Sequence, residues 1–377
     1  MHRMLSALLS LAVLAAAAQR KPYQINAETP EGQLLQKAGQ EESPDQKIAL
    51  YQEYLSKFPG HEGAAYAWGQ LQPLLLKAKQ LDKTVEAGEA ILKLEPDNAP
   101  AAYDALQACE QMQDADCVVR WSARTVEAAK KMLAQPKPEE EDEAEAWKHQ
   151  QDYATQVITR AEYSLYAQGL QSADPKNAVK LFAALESMNP ASQYMPQAAG
   201  RYFIALLQLK DNAGAQRLAE AMVERNAAND DMLLYLADIS LTGTKNYARA
   251  AELATKLTQS LPSMEAPAGM EAGAWETKKK NSLGRAYWIA GVAYGTLQKW
   301  VETDKAMRAA LPLIEGNNDL LPGAYFYLGL SNYRLGQGPK GDKSRLAEAQ
   351  KYTALCAKMK SPFQGPAQKN LQAMAGN

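Results

Sequence analysis

Histidine is nearly missing from this chain. There are three in 377 residues, His2, His61 and His149. Neither of the last two has a second His or a Cys at ligand spacing, so the sequence offers no zinc centre and no His-based triad. Cysteine is as rare, with Cys109, Cys117 and Cys356 alone. Only five residues are Phe, against eighteen Tyr. Period-two runs of Val, Ile and Thr are missing, which leaves no sheet to predict. Neither sign of charge is in excess, with 41 basic and 43 acidic residues and a formal net charge of -2. A nucleic-acid footprint needs a dense basic face, so this balance argues against a nucleic-acid partner. The one basic run, Lys278-Lys279-Lys280, reads as a solvated face at a helix start. After the first residues no segment is apolar for long enough to cross a bilayer.

The N-terminus reads differently. His2 and Arg3 precede a short apolar run from Leu5 to Leu14, and Ala15 to Ala18 supply small residues for a signal peptidase. That is the pattern of a secretory signal. Residues 1–18 are expected to leave, with Gln19 first in the mature chain and 19–30 a flexible segment. The mature chain is then expected in the periplasm or outside the cell, with no integral membrane segment. In such a compartment Cys109 and Cys117 can be oxidised, bridging the two helices of one hairpin. The other reading makes them two small buried hydrophobes. Cys356 is the odd one, placed inside the last long helix.

What is abundant is helix-packing sequence, rich in Ala and spaced at three and four. Ile48, Tyr51 and Leu55 precede Pro59; Val85, Ile91 and Leu92 precede Pro96; Ala178, Leu181, Phe182 and Leu185 precede Pro190. Each Pro marks a helix stop, because it cannot donate to the ladder, and Pro262 does the same further on. Pro59 to Pro96 is 37 residues and Pro190 to Pro262 is 72, or two units of about 36. Near the C-terminus the repetition is direct. Ala286 to Leu297 overlays Ala324 to Leu335, with Gly291 on Gly329, Trp288 on Phe326 and Leu297 on Leu335. A repeat of this size means stacked helical hairpins.

The pattern resembles the tetratricopeptide repeat, nominally ~34 residues with two helices per unit. Around Gly291 stand Tyr287, Ala290-Gly291, Tyr294, Trp300, Met307 and Ala310-Leu311. Around Gly329 stand Tyr325, Leu328-Gly329 and Leu335-Gly336. The unit from Ala65 to Asn98 has Trp68, Leu71, Leu75, Thr84, Ile91 and Pro96. Gly88 stands where that family usually has an aromatic, and Thr303 where it usually has Ala. The resemblance implies an all-α, right-handed superhelical solenoid of antiparallel helix pairs. N-terminal repeats are expected over 31–262, a loop or hinge over 263–274, C-terminal repeats over 275–360, and a capping helix with a tail over 361–377. Eight units fit, the fourth stretched from Pro138 to Pro190. The run Glu139-Glu140-Glu141-Asp142-Glu143 after Pro136 and Pro138 reads as the solvated start of a long helix, or more sharply as an acidic recognition patch.

No reaction is legible, and no cofactor or metal is expected. Gly336 to Gly341 matches G-x-G-x-x-G, but a helix precedes it instead of a strand, and Pro339 removes an N–H donor. The tetratricopeptide resemblance implies a concave wall lined by the first helix of each unit, which receives a protein or peptide. Its inward positions fall on Arg285, Trp288, Val292 and Thr296, on Phe326, Leu330, Tyr333 and Arg334, and on Tyr103, Gln107 and Glu110. Trp288, Phe326 and Tyr333 would anchor a ligand while Arg285 and Arg334 orient it. Alternatively, Trp288 and Phe326 pack against the next hairpin. The expected function is a non-catalytic exported scaffold. A cell-surface protein binding glycans or small ligands is the second reading, for which a deep pocket lined by Trp and Tyr would speak.

Overall fold

The computed structural model describes residues 23–267, 270–337 and 341–375, with the side chains of 141, 142 and 375 excepted. The expected signal, residues 1–18, lies outside them. Seventeen α-helices and no strand occur among the described residues. They are α1 (Pro30–Gln40), α2 (Pro44–Lys57), α3 (Ala64–Lys77), α4 (Leu81–Leu94), α5 (Ala99–Met112), α6 (Ala115–Leu133), α7 (Glu141–Gln171), α8 (Pro175–Met188) and α9 (Met195–Gln208). Then follow α10 (Asn212–Glu224), α11 (Asp230–Asp238), α12 (Tyr247–Ser260), α13 (Ala272–Thr296), α14 (Trp300–Ala310), α15 (Leu321–Gly336), α16 (Ser344–Ala357) and α17 (Gln364–Ala375). A π-turn over Ile239–Gly243 extends α11. The architecture is the expected one of consecutive helix pairs, with a terminal helix after α16.

Packing divides the chain into two compact units, Met1–Leu209 and Lys210–Asn377. The boundary lies in the turn after α9. Across 263–274, the segment expected as a loop or hinge, α12 and α13 pack directly on each other. Within each unit a helix packs on the next, and α3, α5, α7 and α9, like α11, α13 and α15, also meet in succession, so these odd-numbered helices stand side by side.

Each expected proline stop falls two residues past a helix end. α2 ends at Lys57 before Pro59, α4 at Leu94 before Pro96, α8 at Met188 before Pro190 and α12 at Ser260 before Pro262. Starts are set by caps. The Thr29 hydroxyl accepts from the Gly32 N–H, and Asp114, Asp174 and Asn98 cap α6, α8 and α5 in the same way. The turns inside hairpins share a feature without a glycine. Lys79, Gln113, Lys245 and Gln298 all adopt left-handed backbone, with φ from 55 to 58°. After α5 the Asp114 N–H reaches back to the Cys109 carbonyl, and after α13 the Lys299 N–H reaches the Tyr294 carbonyl. These bonds satisfy carbonyls left over at the helix ends.

Small residues mark the closest crossings. A Cβ on Gly291 would lie 2.7 Å from Met307 on α14, and one on Gly329 would collide with the Thr353 hydroxyl on α16. The two glycines that overlay in sequence therefore do the same thing in space. Gly88 has its own reason. A Cβ there would stand 2.9 Å from Ala105 and 3.0 Å from Trp121, and Trp121 is fully buried. The aromatic lacking on α4 is supplied by α6. Ala178, Leu181, Phe182 and Leu185 are all buried, as their spacing requires. His61 is a turn residue whose Nδ1 accepts from the Gly63 N–H at 3.1 Å and pairs with the Tyr54 hydroxyl at 2.7 Å.

Candidate functional site

The odd-helix face of the first unit carries the densest polar and aromatic surface. Its phase on α5 is set by Asn98, whose side chain accepts from Ala101 N–H at 3.0 Å. That start brings Tyr103, Asp104, Gln107 and Glu110 onto the side of α5 that meets α7. Helix α7 is the longest of the molecule at 31 residues. It presents Tyr153, Arg160, Tyr163, Ser164 and Tyr166 along the same side. Arg160 Nε donates to the Tyr103 hydroxyl at 3.1 Å, and the Ser164 hydroxyl donates to Glu110 Oε1. The Arg160 guanidinium lies 5.0 Å from the Tyr163 ring centre. Tyr194, just before α9, stacks on Tyr166 at 5.3 Å and meets Tyr163 edge-on at 5.6 Å. Tyr163 and Leu170 are exposed. Five tyrosines and an arginine thus form one continuous strip across α5, α7 and the start of α9.

Within the strip Asp104 is half-buried, and burial pushes its carboxyl up to about 7. Burial also raises Glu110, against the hydrogen bond from Ser164 and the nearby Arg160 charge. The hydroxyl of Tyr153 is raised by burial and by the charge of Asp104 beside it. The buried Glu162 behaves differently, since Asn189 Nδ2 donates to it at 2.9 Å and Ser192 Oγ at 2.6 Å. It ties the α8–α9 turn to α7 and faces no ligand. The structure also joins Cys109 to Cys117 by a disulfide across the α5–α6 turn. Cys356 is free and buried, and its thiol donates to the Pro322 carbonyl at 3.3 Å.

Of the residues expected on the binding wall, Tyr103, Gln107 and Glu110 lie in the first unit. The other eight lie in the second. Arg285 is half-buried, with Nε donating to Asp238 Oδ1 at 3.2 Å, and its guanidinium stacks 4.9 Å over Trp288. Trp288 donates its indole N–H to the Leu320 carbonyl at 2.8 Å and fills the space over Gly323. Trp288 therefore packs on the start of the following hairpin. Phe326 lies 5.2 Å from the ring of Phe363, in the segment between α16 and α17, so the chain itself covers it. Val292 is buried, because its turn of α13 faces the neighbouring helices. Tyr333 is half-buried. Arg334 is exposed, with its guanidinium 5.9 Å from the Trp300 ring centre.

The lysine run also departs from expectation. Lys278 bridges Asp230 at 2.8 Å and Asp231 at 2.9 Å, and both Lys278 and Lys279 approach the Trp275 ring. Lys278 thus holds α13 to α11, while Lys279 pairs with Glu276 on its own helix at 3.2 Å. A further ionic cluster joins α14, α15 and α16, where Asp304 receives Arg308 at 3.0 Å, Arg345 at 3.1 Å and Asn332 at 2.7 Å. A cavity of about 450 Å3 opens beside Lys280, Arg285, Glu315 and Asp319. Its lining is charged and carries no Trp or Tyr. Among the described residues no group of three or more His, Cys, Asp or Glu is arranged to hold a metal ion. No helix there is long and apolar enough to cross a membrane. The G-x-G-x-x-G loop follows α15 and lies partly outside the described residues.

No family model matches the chain, and no curated protein matches it. Two solved structures of tetratricopeptide type are similar over most of their length. The TPR domain of P58(IPK) is 10% identical, with 92% of this chain and 99% of that chain covered and a TM-score of 0.27. Yeast Tom70 is 12% identical, with 93% and 96% covered and a TM-score of 0.23. At such scores neither likeness bears on function, and the fold class rests on the helices themselves.

Proposed function

We propose that this chain is an exported, non-catalytic scaffold that binds a protein or peptide on the odd-helix face of its first unit. The strip from Tyr103 through Arg160 and Tyr163 to Tyr194 carries the reading. Tyrosine and arginine are the side chains that concentrate binding energy at interfaces, and here they stand together on a partly exposed face. Tyrosines spread along two neighbouring helices suit an extended or helical segment better than a small ligand. Residues 1–18 serve as the secretion signal, and the mature chain acts in the periplasm or outside the cell. The Cys109–Cys117 disulfide supports that location, since such bonds persist in oxidising compartments. In the second unit Arg334 is exposed and Tyr333 half-buried, whereas Trp288 donates to the Leu320 carbonyl and Phe326 meets Phe363.

The test is a cross-linked capture from the native envelope with residues 19–377 as bait. Wild type is compared with a Tyr163, Tyr166 and Tyr194 triple-Ala form, and with a Trp288, Phe326 and Tyr333 triple-Ala form. A partner retained by wild type and lost with the first triple alone supports the first-unit site. Retention unchanged by the first triple refutes it.

A further inference from the structure

Several buried and half-buried carboxylates among the described residues are answered by donors or cations. Asp304 is held by Arg308 and Arg345, Asp238 by Arg285, Asp230 and Asp231 by Lys278, Glu162 by Asn189 and Ser192, and Glu110 by Ser164. Half-buried Asp104 differs from these. No ion pair reaches it among the described residues, and its one hydrogen bond, from Gln107 Nε2, is long at 3.4 Å. It sits on α5 in the middle of the tyrosine strip, where its charge acts on the hydroxyls of both Tyr103 and Tyr153. Arg160, the nearest cation of the strip, is spent on Tyr103 and stands toward Glu110.

A desolvated carboxylate without a counter-charge is costly, and a ligand that brings the charge recovers that cost. We infer that Asp104 is the recognition point for a basic side chain, Lys or Arg, of an extended peptide laid along the α5–α7 face. This rests on the peptide-binding reading above and names the chemistry of the partner. The carboxylate is half-buried on the α5–α7 face, so a cation carried on a long stem reaches it best. Lys and Arg have such stems, which pack on aromatic rings while the head reaches a buried acceptor. The phenol rings of Tyr103 and Tyr153 add the electron-rich surface that cations favour. One carboxylate with two phenols does not make a metal site, because hard cations take six or more oxygen ligands.

The experiment uses peptide pools with one fixed central residue and all flanking positions randomised. The pools carry Lys, Nε-acetyl-lysine, Arg, Gln, Glu or Leu, and pass over immobilised residues 19–377. Wild type is expected to retain the Lys and Arg pools at least about tenfold over the Gln, Glu and Leu pools, the scale of one charge-assisted contact. Acetylation of the lysine should abolish the preference on wild-type protein, which needs no variant to fold. Asp104→Asn should bring all pools within about twofold of each other while retaining the neutral ones. Peptides retained without any basic preference, or a preference that survives Asp104→Asn, overturn the inference and leave the peptide-binding scaffold standing. Retention of no pool at all sinks both.

Discussion

Replacing Asp104 by Asn removes a charge that the fold holds at a cost, so the free protein should become more stable, and only above a certain pH. A carboxyl raised to about 7 from 3.8 carries a penalty of about 4 kcal/mol on its ionised form, at ~1.36 kcal/mol for each tenfold change. The side chain keeps part of its surface in water, which relaxes the penalty, and about 2 kcal/mol is the expected gain. The sign follows from proton linkage. In the unfolded chain this Asp ionises near ~4, whereas in the folded chain it holds its proton to about 7. Its favourable contribution is therefore complete below about pH 4 and is lost as pH rises through 7. Asn mimics the neutral acid, so the two proteins should unfold alike near pH 4 and diverge upward, with the difference complete by about pH 8. Urea titrations followed by circular dichroism at pH 4, 5.5, 7 and 8.5 give that curve directly. A stability difference that is the same at pH 4 and pH 8.5 would refute the burial argument.

Other outcomes follow from single contacts. Gln298→Gly and Gln113→Gly should each raise stability by about 0.5–1 kcal/mol, since both residues hold left-handed backbone that glycine adopts freely; lower melting temperatures would contradict this. Asp304→Ala should cost about 1–3 kcal/mol at pH 7, because it removes the bonds from Arg308, Arg345 and Asn332 while Arg308 keeps Glu348 and Arg345 keeps Asn332. Burial opposes ionisation of Asp304, but hydrogen bonds from Arg308, Arg345 and Asn332 outweigh it and hold the carboxyl below its ordinary range, so the cost should shrink as pH falls through that range. Native protein should show no reactive thiol to a thiol reagent, and unfolded protein should show one, Cys356, whose pKa burial pushes up to about 11. Replacing Cys109 and Cys117 together by Ala frees a short loop with a separation of eight residues and should cost about 2–3 kcal/mol by denaturant titration.

The site shows where a sequence stops being readable. Tyr103 could be reached from the repeat, because an inward position on a first helix repeats from unit to unit. Asp104, its neighbour, could not. Its meaning depends on Arg160, the cation that α7 brings near, being engaged by Tyr103, and α7 starts only at Glu141. A weak signal did exist in Tyr163, Tyr166 and Leu170, spaced at three and four on a helix whose buried side is already supplied by Ala161 and Leu165. Two apolar faces on one helix imply that one of them meets something else. Trp288 and Phe326 make contacts that the repeat itself does not contain. They occupy inward positions, but the Leu320 carbonyl and the Phe363 ring come from segments with no fixed place in the repeat.

By itself the sequence determined the helices, their ends and their pairing. Those depend on local chemistry, with Pro and capping side chains at the termini, and on a periodic apolar face that one unit cannot bury alone. Gly291 and Gly329 belong to the same class, since the close approach they permit recurs at a fixed offset. Tertiary structure decided what each charge and ring is worth. Lys278 became a bridge to Asp230 and Asp231, Arg285 became the partner of Asp238, and Asp104 was left without one. The energy of a charge is set by the dielectric around it and the nearest opposite charge, and both come from residues far away along the chain.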